Sequence, residues 1–258
     1  MTGGPLLLER REATLLLTLN RPDRHNALNA ALLTALDAAV DTAVADRGVR
    51  AVVITGAGGR SFCAGADLDE LTEAGDAATV VDVLAVGQRV FSRLCTAPVP
   101  VIAAVNGLAL GGGFELALAT TFIIGSERAS FALPETGLGL LPGYGGTQRL
   151  PRLVGRQLAS YLVTTGTRWD APTAHARGLL AEPPLPPDRL LDRALELAGA
   201  IAARGPRATR LALGLLAHAD GIESGLARET ATAALTTAGS EAREGIAAFR
   251  QRRPAVFE

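Results

Sequence analysis

The sequence predicts an α/β fold with strands concentrated in the first half of the chain and helices dominating the second. Three observations carry this reading. VRAVVIT (49–55) and PVIAAV (100–105) are continuous apolar runs of the kind buried on both faces of a sheet. Between them, Val80, Leu84, Gly87, Phe91 and Leu94 fall on one face at helical spacing. From Gly143 onward the pattern is almost wholly helical, without another convincing strand.

Taken in order, the leucine-rich runs 6–9 and 14–19 flank the charged Arg10, Arg11 and Glu12 and read as a hairpin. NRPDRHNALN (20–29) is a turn, after which Asn26 or Asn29 can cap a helix bearing Leu32, Leu33, Leu36, Val40 and Val44. The strand 49–55 ends in GAGGRSFCAGADLDEL, a glycine-rich loop running into a short helix. Helix 79–94 is closed by Pro98 and Pro100, and the next strand runs into Gly111, Gly112, Gly113 and a further helix. Short strands follow at 122–125 and 130–133, then helices near 145–163, 170–177, 187–204, 206–217, 222–238 and 240–251. PPLPP (183–187) reads as a rigid connector. A break near residue 200 divides a core, 1–200, from a helical region, 201–258, whose helices could pack on neighbours in an oligomer.

Composition narrows the function. The 258 residues suffice for a sizeable core, and 48% hydrophobic with 20% charged residues is ordinary for an α/β enzyme. A net charge of −1 gives no reason to expect nucleic acid or an acidic membrane as partner. All 25 basic residues are arginine, which excludes a Schiff-base lysine and a P-loop lysine. Cys63 and Cys95 are too few and too far apart for a disulfide framework or a zinc site, so a reducing cytoplasm is expected. No apolar run is long enough to span a membrane, and the N-terminus lacks a signal peptide's pattern. His25 reads as a loop residue and His175 and His218 as helix-surface residues; their spacing offers no metal site. TGAGGRS and GLGLLPG fail the dinucleotide fingerprint, with Arg60, Ser61 and Pro142 in the wrong places, and there is no G-x-S-x-G elbow.

What remains is a set of small residues and two carboxylates. Ala64, Gly65, Ala66 and Asp67 follow a buried strand and precede a helix. They could aim the Ala66 N–H at a ligand oxygen, or simply let Asp67 cap the helix. Three glycines cost about 1 kcal/mol each at helical positions, so bare backbone at 111–113 implies close approach, either to a ligand or to packed structure. Glu115 lies among apolar residues in a helix's first turn, where the dipole favours a carboxylate. Glu135 sits alone in a glycine-rich apolar loop. Two neighbouring carboxylates could move protons.

Together NRPDRHNALN, FCAGADLDEL, AAVNGLALGGGFELAL, FALPETGLGLLPGYGGTQRLPRLVG and EAREGIAAFRQRRP resemble the enoyl-CoA hydratase/isomerase (crotonase) superfamily over nearly the whole chain. The resemblance implies a spiral of ββα units with a C-terminal helical region that mediates trimerisation, as a homotrimer or homohexamer. It implies an acyl-CoA substrate, with coenzyme A part of that substrate and no metal or redox cofactor. Ala66 and Gly112 match the backbone donors of an oxyanion hole, Glu115 and Glu135 the two glutamates of hydratases, and Gly143 a glycine lining the water site. Residues 66 to 69, including Asp67 and Leu68, and Arg24 match segments bordering coenzyme A, and Ala64 is expected among the substrate-binding residues.

The chain departs from the family pattern in three places. Asp69 stands where lysine is frequent; Arg250, Arg252 and Arg253 stand where a C-terminal lysine is usual; Tyr144 occupies a place that is often small, leaving acyl preference open. Hydration of a 2-enoyl-CoA is the expected reaction. Double-bond isomerisation, a specialised lyase or hydratase reaction, and non-catalytic acyl-CoA binding are its alternatives. Isomerases typically keep one of the two carboxylates, so the pair favours hydration.

Overall fold

The computed structural model describes residues 3–73, 77–217 and 222–257. Two sheets organise the core. The larger has the strand order β1(Leu6–Arg11), β2(Thr14–Leu19), β3(Ala51–Gly56), β5(Val101–Val105), β7(Phe122–Gly125). The smaller has the order β4(Ser61–Cys63), β6(Leu108–Leu110), β8(Ser130–Ala132), β9(Trp169–Asp170). The chain therefore lays one strand in the large sheet and the next in the small sheet, then crosses back through helical structure. The pairs β3–β4, β5–β6 and β7–β8 are three successive turns of one spiral, and their neighbours run parallel in both sheets. The expected hairpin is β1 with β2, antiparallel from Leu6 opposite Leu19 to Arg11 opposite Thr14.

The continuous apolar runs are explained by two-sided burial. Leu15, Leu17 and Leu19 of β2, with Val52 and Ile54 of β3, face a core shared with α1(Ala30–Ala45) and α3(Ala77–Cys95). The alternate residues Leu16, Ala51, Val53, Ile102 and Ala104 face the other way, against Leu190, Ala194 and Ala198 of α8(Leu190–Ala202). A period of two thus divides one apolar string between two cores.

Several expectations are sharpened or corrected. Asn29, not Asn26, caps α1, its side chain accepting from Leu32 N–H at 3.0 Å. Asn26 is buried, and its amide donates to the carbonyls of Ala57 and Ser61. The single helix read at 145–163 is two, α5(Gly146–Val154) and α6(Arg156–Thr165), because Gly155 takes φ +83°, outside helical geometry. Strand β9 was not expected beyond Gly143; its two residues pair with Ser130 and Phe131, and only tertiary pairing defines so short an element. The proline-rich connector is tied down through Leu185, which accepts from Glu127 N–H and donates to Gly125 C=O. His218 lies outside the described residues.

After α7(Ala171–Ala176) and α8 the chain continues as α9(Pro206–Ala217), α10(Ile222–Thr237) and α11(Ser240–Gln251). Leu216, Leu226, Leu235 and Phe249 on these helices are exposed.

The spiral requires the turns to touch through backbone, which gives a stability prediction. A Cβ on Gly113 would lie 2.0 Å from the carbonyl oxygen of Cys63, whereas one on Gly199, in α8, meets nothing within 4 Å. Gly113→Ala is expected to destabilise by about 1–3 kcal/mol or more through overpacking. Gly199→Ala is expected to stabilise by about 0.5–1 kcal/mol through helix propensity. Urea midpoints of the two variants check this, and equal effects would contradict the packing argument.

Candidate active site

The site forms where the second turn of the spiral meets the loop of the first. Its base is α4(Gly112–Leu118), entered through Gly111 at φ +51°, a left-handed conformation open to glycine at little cost. The three glycines serve three purposes. Gly111 makes the turn, Gly113 abuts Cys63 of β4, and Gly112 lies against Tyr144 and Leu28, whose atoms would stand 3.0 and 3.2 Å from an added Cβ. Close packing, one of the two alternatives on the sequence, is realised here.

The backbone segments that carry Ala66 and Gly112 meet at this point through Gly65. Gly112 is the first residue of α4, where an N–H has no carbonyl one turn back to receive it. Gly65, at φ +111°, presses on the same spot: a Cβ there would lie 3.1 Å from Leu110 O and 3.5 Å from Gly112 N. Ala66 follows directly. Leu28 N–H donates to Gly65 C=O and Asp67 N–H to Leu28 C=O, a bridge that brackets Ala66 without using its N–H.

A polar clamp holds this loop. The Arg21 guanidinium donates to the Ala27 carbonyl at 2.6 Å and to Asp67 Oδ2 at 2.9 Å, with both charged side chains largely buried. Arg21 N–H donates to Asn26 Oδ1 at 2.9 Å, so the turn 20–27 and the loop 64–67 are knit together. Arg21 was not singled out on the sequence; its only signal there was its place inside NRPDRHNALN. Ala64 N–H donates to His25 C=O, and His25, in the turn as expected, pairs Nδ1 with Ser61 Oγ at 2.9 Å.

Glu115 is 1% exposed. Its Oε1 accepts from Tyr144 N–H at 2.9 Å and Gly146 N–H at 2.7 Å. Burial holds this carboxyl above its ordinary value, while those two amides and the nearby Arg149 guanidinium pull the other way. Arg149 also donates to the Tyr144 carbonyl at 2.7 Å, fixing the loop that supplies the amides. Glu135 begins a short 3-10 turn, Glu135–Leu138, after β8. Its Oε1 would lie 3.1 Å from a Cβ on Gly111, and its Oε2 is buried without a hydrogen-bond partner. Burial pushes this carboxyl up to about 7, with the Glu115 charge adding to the shift.

The structure therefore brings Ala66, Gly112, Glu115, Glu135 and the Gly143–Tyr144 loop to one place, from segments up to about eighty positions apart. Gly143 C=O accepts from Gln88 Nε2 at 2.8 Å. The remaining residues lie at the rim. Leu68 is 49% exposed, and Arg24 pairs with Asp69 across the surface at 3.2 Å. That pair places a cation beside the position where the family often has lysine. Among the described residues, no three His, Cys, Asp or Glu side chains are grouped as metal ligands, and no helix is long and apolar enough to cross a membrane.

A spiral of strand–strand–helix turns followed by C-terminal helices is the crotonase class of fold. The chain belongs to the enoyl-CoA hydratase/isomerase family, whose model matches residues 9–258. It is 42% identical to the 2,3-dehydroadipyl-CoA hydratase of Escherichia coli (strain K12), covering 98% of each chain. It is 39% identical to the crotonyl-CoA hydratase of Syntrophomonas wolfei, covering 98% of this chain and 97% of that one. The crystal structure of an enoyl-CoA hydratase from Bacillus anthracis superposes with a TM-score of 0.94 at 36% identity, covering 98% of both.

The carboxylate pair gives a titration prediction. Folding raises the Glu135 carboxyl, so its contribution to stability is fully present below the ordinary carboxylate range and is lost as pH rises through about 7. Carbon-13 NMR of the glutamate carboxyls should show one group titrating near 7, moving down in Glu115→Gln as the neighbouring charge is removed. A Glu135 midpoint in the ordinary range, or one indifferent to Glu115→Gln, would refute the assigned environment.

Proposed function

We propose that the protein is an enoyl-CoA hydratase, adding water reversibly across the 2,3 double bond of a 2-enoyl-CoA thioester. The observation that carries this reading is the pair of unlike carboxylates beside the adjoining backbone of Gly65–Ala66 and Gly112. Glu115 is held by two amides, which favours its ionised form; Glu135 has a partnerless buried oxygen and an affinity for protons near neutrality. Two groups with environments this different are suited to base and acid work at one pH.

In this reading the thioester oxygen lies between the N–H groups of Ala66 and Gly112, at the positive end of α4. Glu115 takes a proton from water as the oxygen forms a bond to C3. The π electrons move through C2 to the thioester oxygen, where the two donors stabilise the enolate as charge develops. Collapse of the enolate draws a proton from Glu135 to C2. The charge balance is restored when Glu115 releases its proton and Glu135 regains one. Nothing in this sequence of steps calls for a metal or redox cofactor. Isomerisation and acyl-CoA binding without turnover have weaker support, since neither explains a second buried carboxylate held as an acceptor of two amides.

The acyl group is a separate matter. The two hydratase relatives above are named for different substrates, one a six-carbon chain ending in a carboxylate and the other a plain four-carbon chain. The coenzyme A moiety is assigned to the rim formed by Arg24, Ala64, Asp67 and Leu68. The exposed apolar residues of α9, α10 and α11 support assembly as a homotrimer or homohexamer, with those helices at the interface.

Glu115→Gln and Glu135→Gln are each expected to lower hydration turnover by about 10²–10⁴-fold while leaving binding of a saturated acyl-CoA nearly unchanged. Loss of the enoyl-thioester absorbance measures the first and calorimetry the second. Full turnover in either variant would overturn the two-carboxylate mechanism.

A further inference from the structure

Tyr144 is a bulky side chain at the reacting centre without a part in the chemistry above. Its backbone N–H serves Glu115, but its ring points elsewhere. The ring is 3% exposed and packs edge-on against Phe91 with centroids 5.3 Å apart. It lies on Gly87 of α3 so closely that a Cβ at Gly87 would fall 2.3 Å from Tyr144 Cε1. On the opposite side its Cδ2 would stand 3.0 Å from a Cβ on Gly112. Two missing side chains, from different turns of the spiral, thus make the slot the ring fills.

Beside the ring is a cavity of about 110 Å³ whose lining includes Leu28, Leu33, Val83, Val86 and Tyr144, together with Ala66, Asp67 and Glu70. Its walls are almost wholly apolar. Glu70 is already engaged, its Oε2 accepting from Ala30 N–H at 2.8 Å at the start of α1. The cavity adjoins the donor Ala66 directly, so a thioester bound there can send its carbon chain inward. A dry apolar cavity of ~150 Å³ accommodates the six carbons of benzene, so this one has room for roughly four.

Resting on the hydratase reading, we propose that the Tyr144 ring is the end wall of the acyl site and sets the length of chain the enzyme accepts, with Gly87 as its seat. The carbonyl carbon stays outside the cavity at the donors. The site therefore takes short acyl chains, and a longer chain must displace a ring that Phe91, Gly87 and Gly112 confine. Removing the ring joins the cavity to the space over Gly87 and Phe91.

The test compares kcat/KM for trans-2-enoyl-CoA esters of four to ten carbons in the parent protein, Tyr144→Phe and Tyr144→Ala. The parent should lose at least about tenfold between six and ten carbons, and Tyr144→Phe should keep that ratio because the wall remains. Tyr144→Ala should bring the ratio within about threefold. A ratio between esters is insensitive to a general loss of active protein; if Tyr144→Ala does not fold, Tyr144→Leu supplies the shorter side chain. An unchanged ratio in the truncated variant, or a parent indifferent to length, overturns the proposal. If the parent hydrates no ester, the hydratase reading fails, and the wall is still tested by calorimetry with saturated acyl-CoAs of the same lengths. Parent affinity that falls with length and recovers in Tyr144→Ala supports the wall; equal trends in both proteins reject it.

Discussion

Backbone meeting backbone at the start of α4 is the constraint on which the rest of the site depends. Gly113 against the Cys63 carbonyl, and Gly65 against Leu110 and Gly112, bring two turns of the spiral closer than any side chain permits. That contact places the loop carrying Ala66 beside the first N–H of α4. It also places the carboxylate of Glu115, two positions beyond the last glycine, under the loop that begins at Gly143. An added methyl at these positions would act first on the distance between turns, and through it on every group the turns carry.

The electrostatics follow from the same geometry. A helix start leaves N–H groups without intrahelical partners, and the glycines leave them uncovered. Burial alone would push both carboxyls toward their neutral forms. The amides of Tyr144 and Gly146 oppose this at Glu115, and nothing comparable reaches Glu135 Oε2. Two chemically identical side chains are thereby separated into an acceptor already engaged and a group able to hold a proton near neutrality. The Arg21–Asp67 pair contributes at a remove, by clamping the turn 20–27 to the loop behind Ala66.

Much of this was legible in the chain. The two-sided strands show as unbroken apolar runs, because a strand buried on both faces has no polar positions to alternate with. The glycine triplet and the two isolated glutamates stand out because each is costly in its local setting unless something compensates. The motifs resembling the enoyl-CoA hydratase/isomerase family add the order in which these pieces occur. The short strands β4, β6 and β9 were not legible, because their two or three residues are set by partner strands in the smaller sheet, although the equally short β8 was read at 130–133. The break at Gly155 escaped for a related reason: glycine is tolerated within helices, and only the surrounding packing selects φ +83°. Beyond its place in NRPDRHNALN, Arg21 carried no signal, because its partner lies forty-six positions away.

The amino-acid order by itself determined an α/β fold with strands first and helices last, because burial periodicity is a local property; the spiral and the pairing of Glu115 with Glu135 came with the motifs that resemble the family. Tertiary structure alone decided which of the three glycines touches what, which glutamate receives the amides, and that Tyr144 fills a slot over Gly87. These outcomes depend on distances between turns of the spiral, and such distances arise only when the turns are stacked.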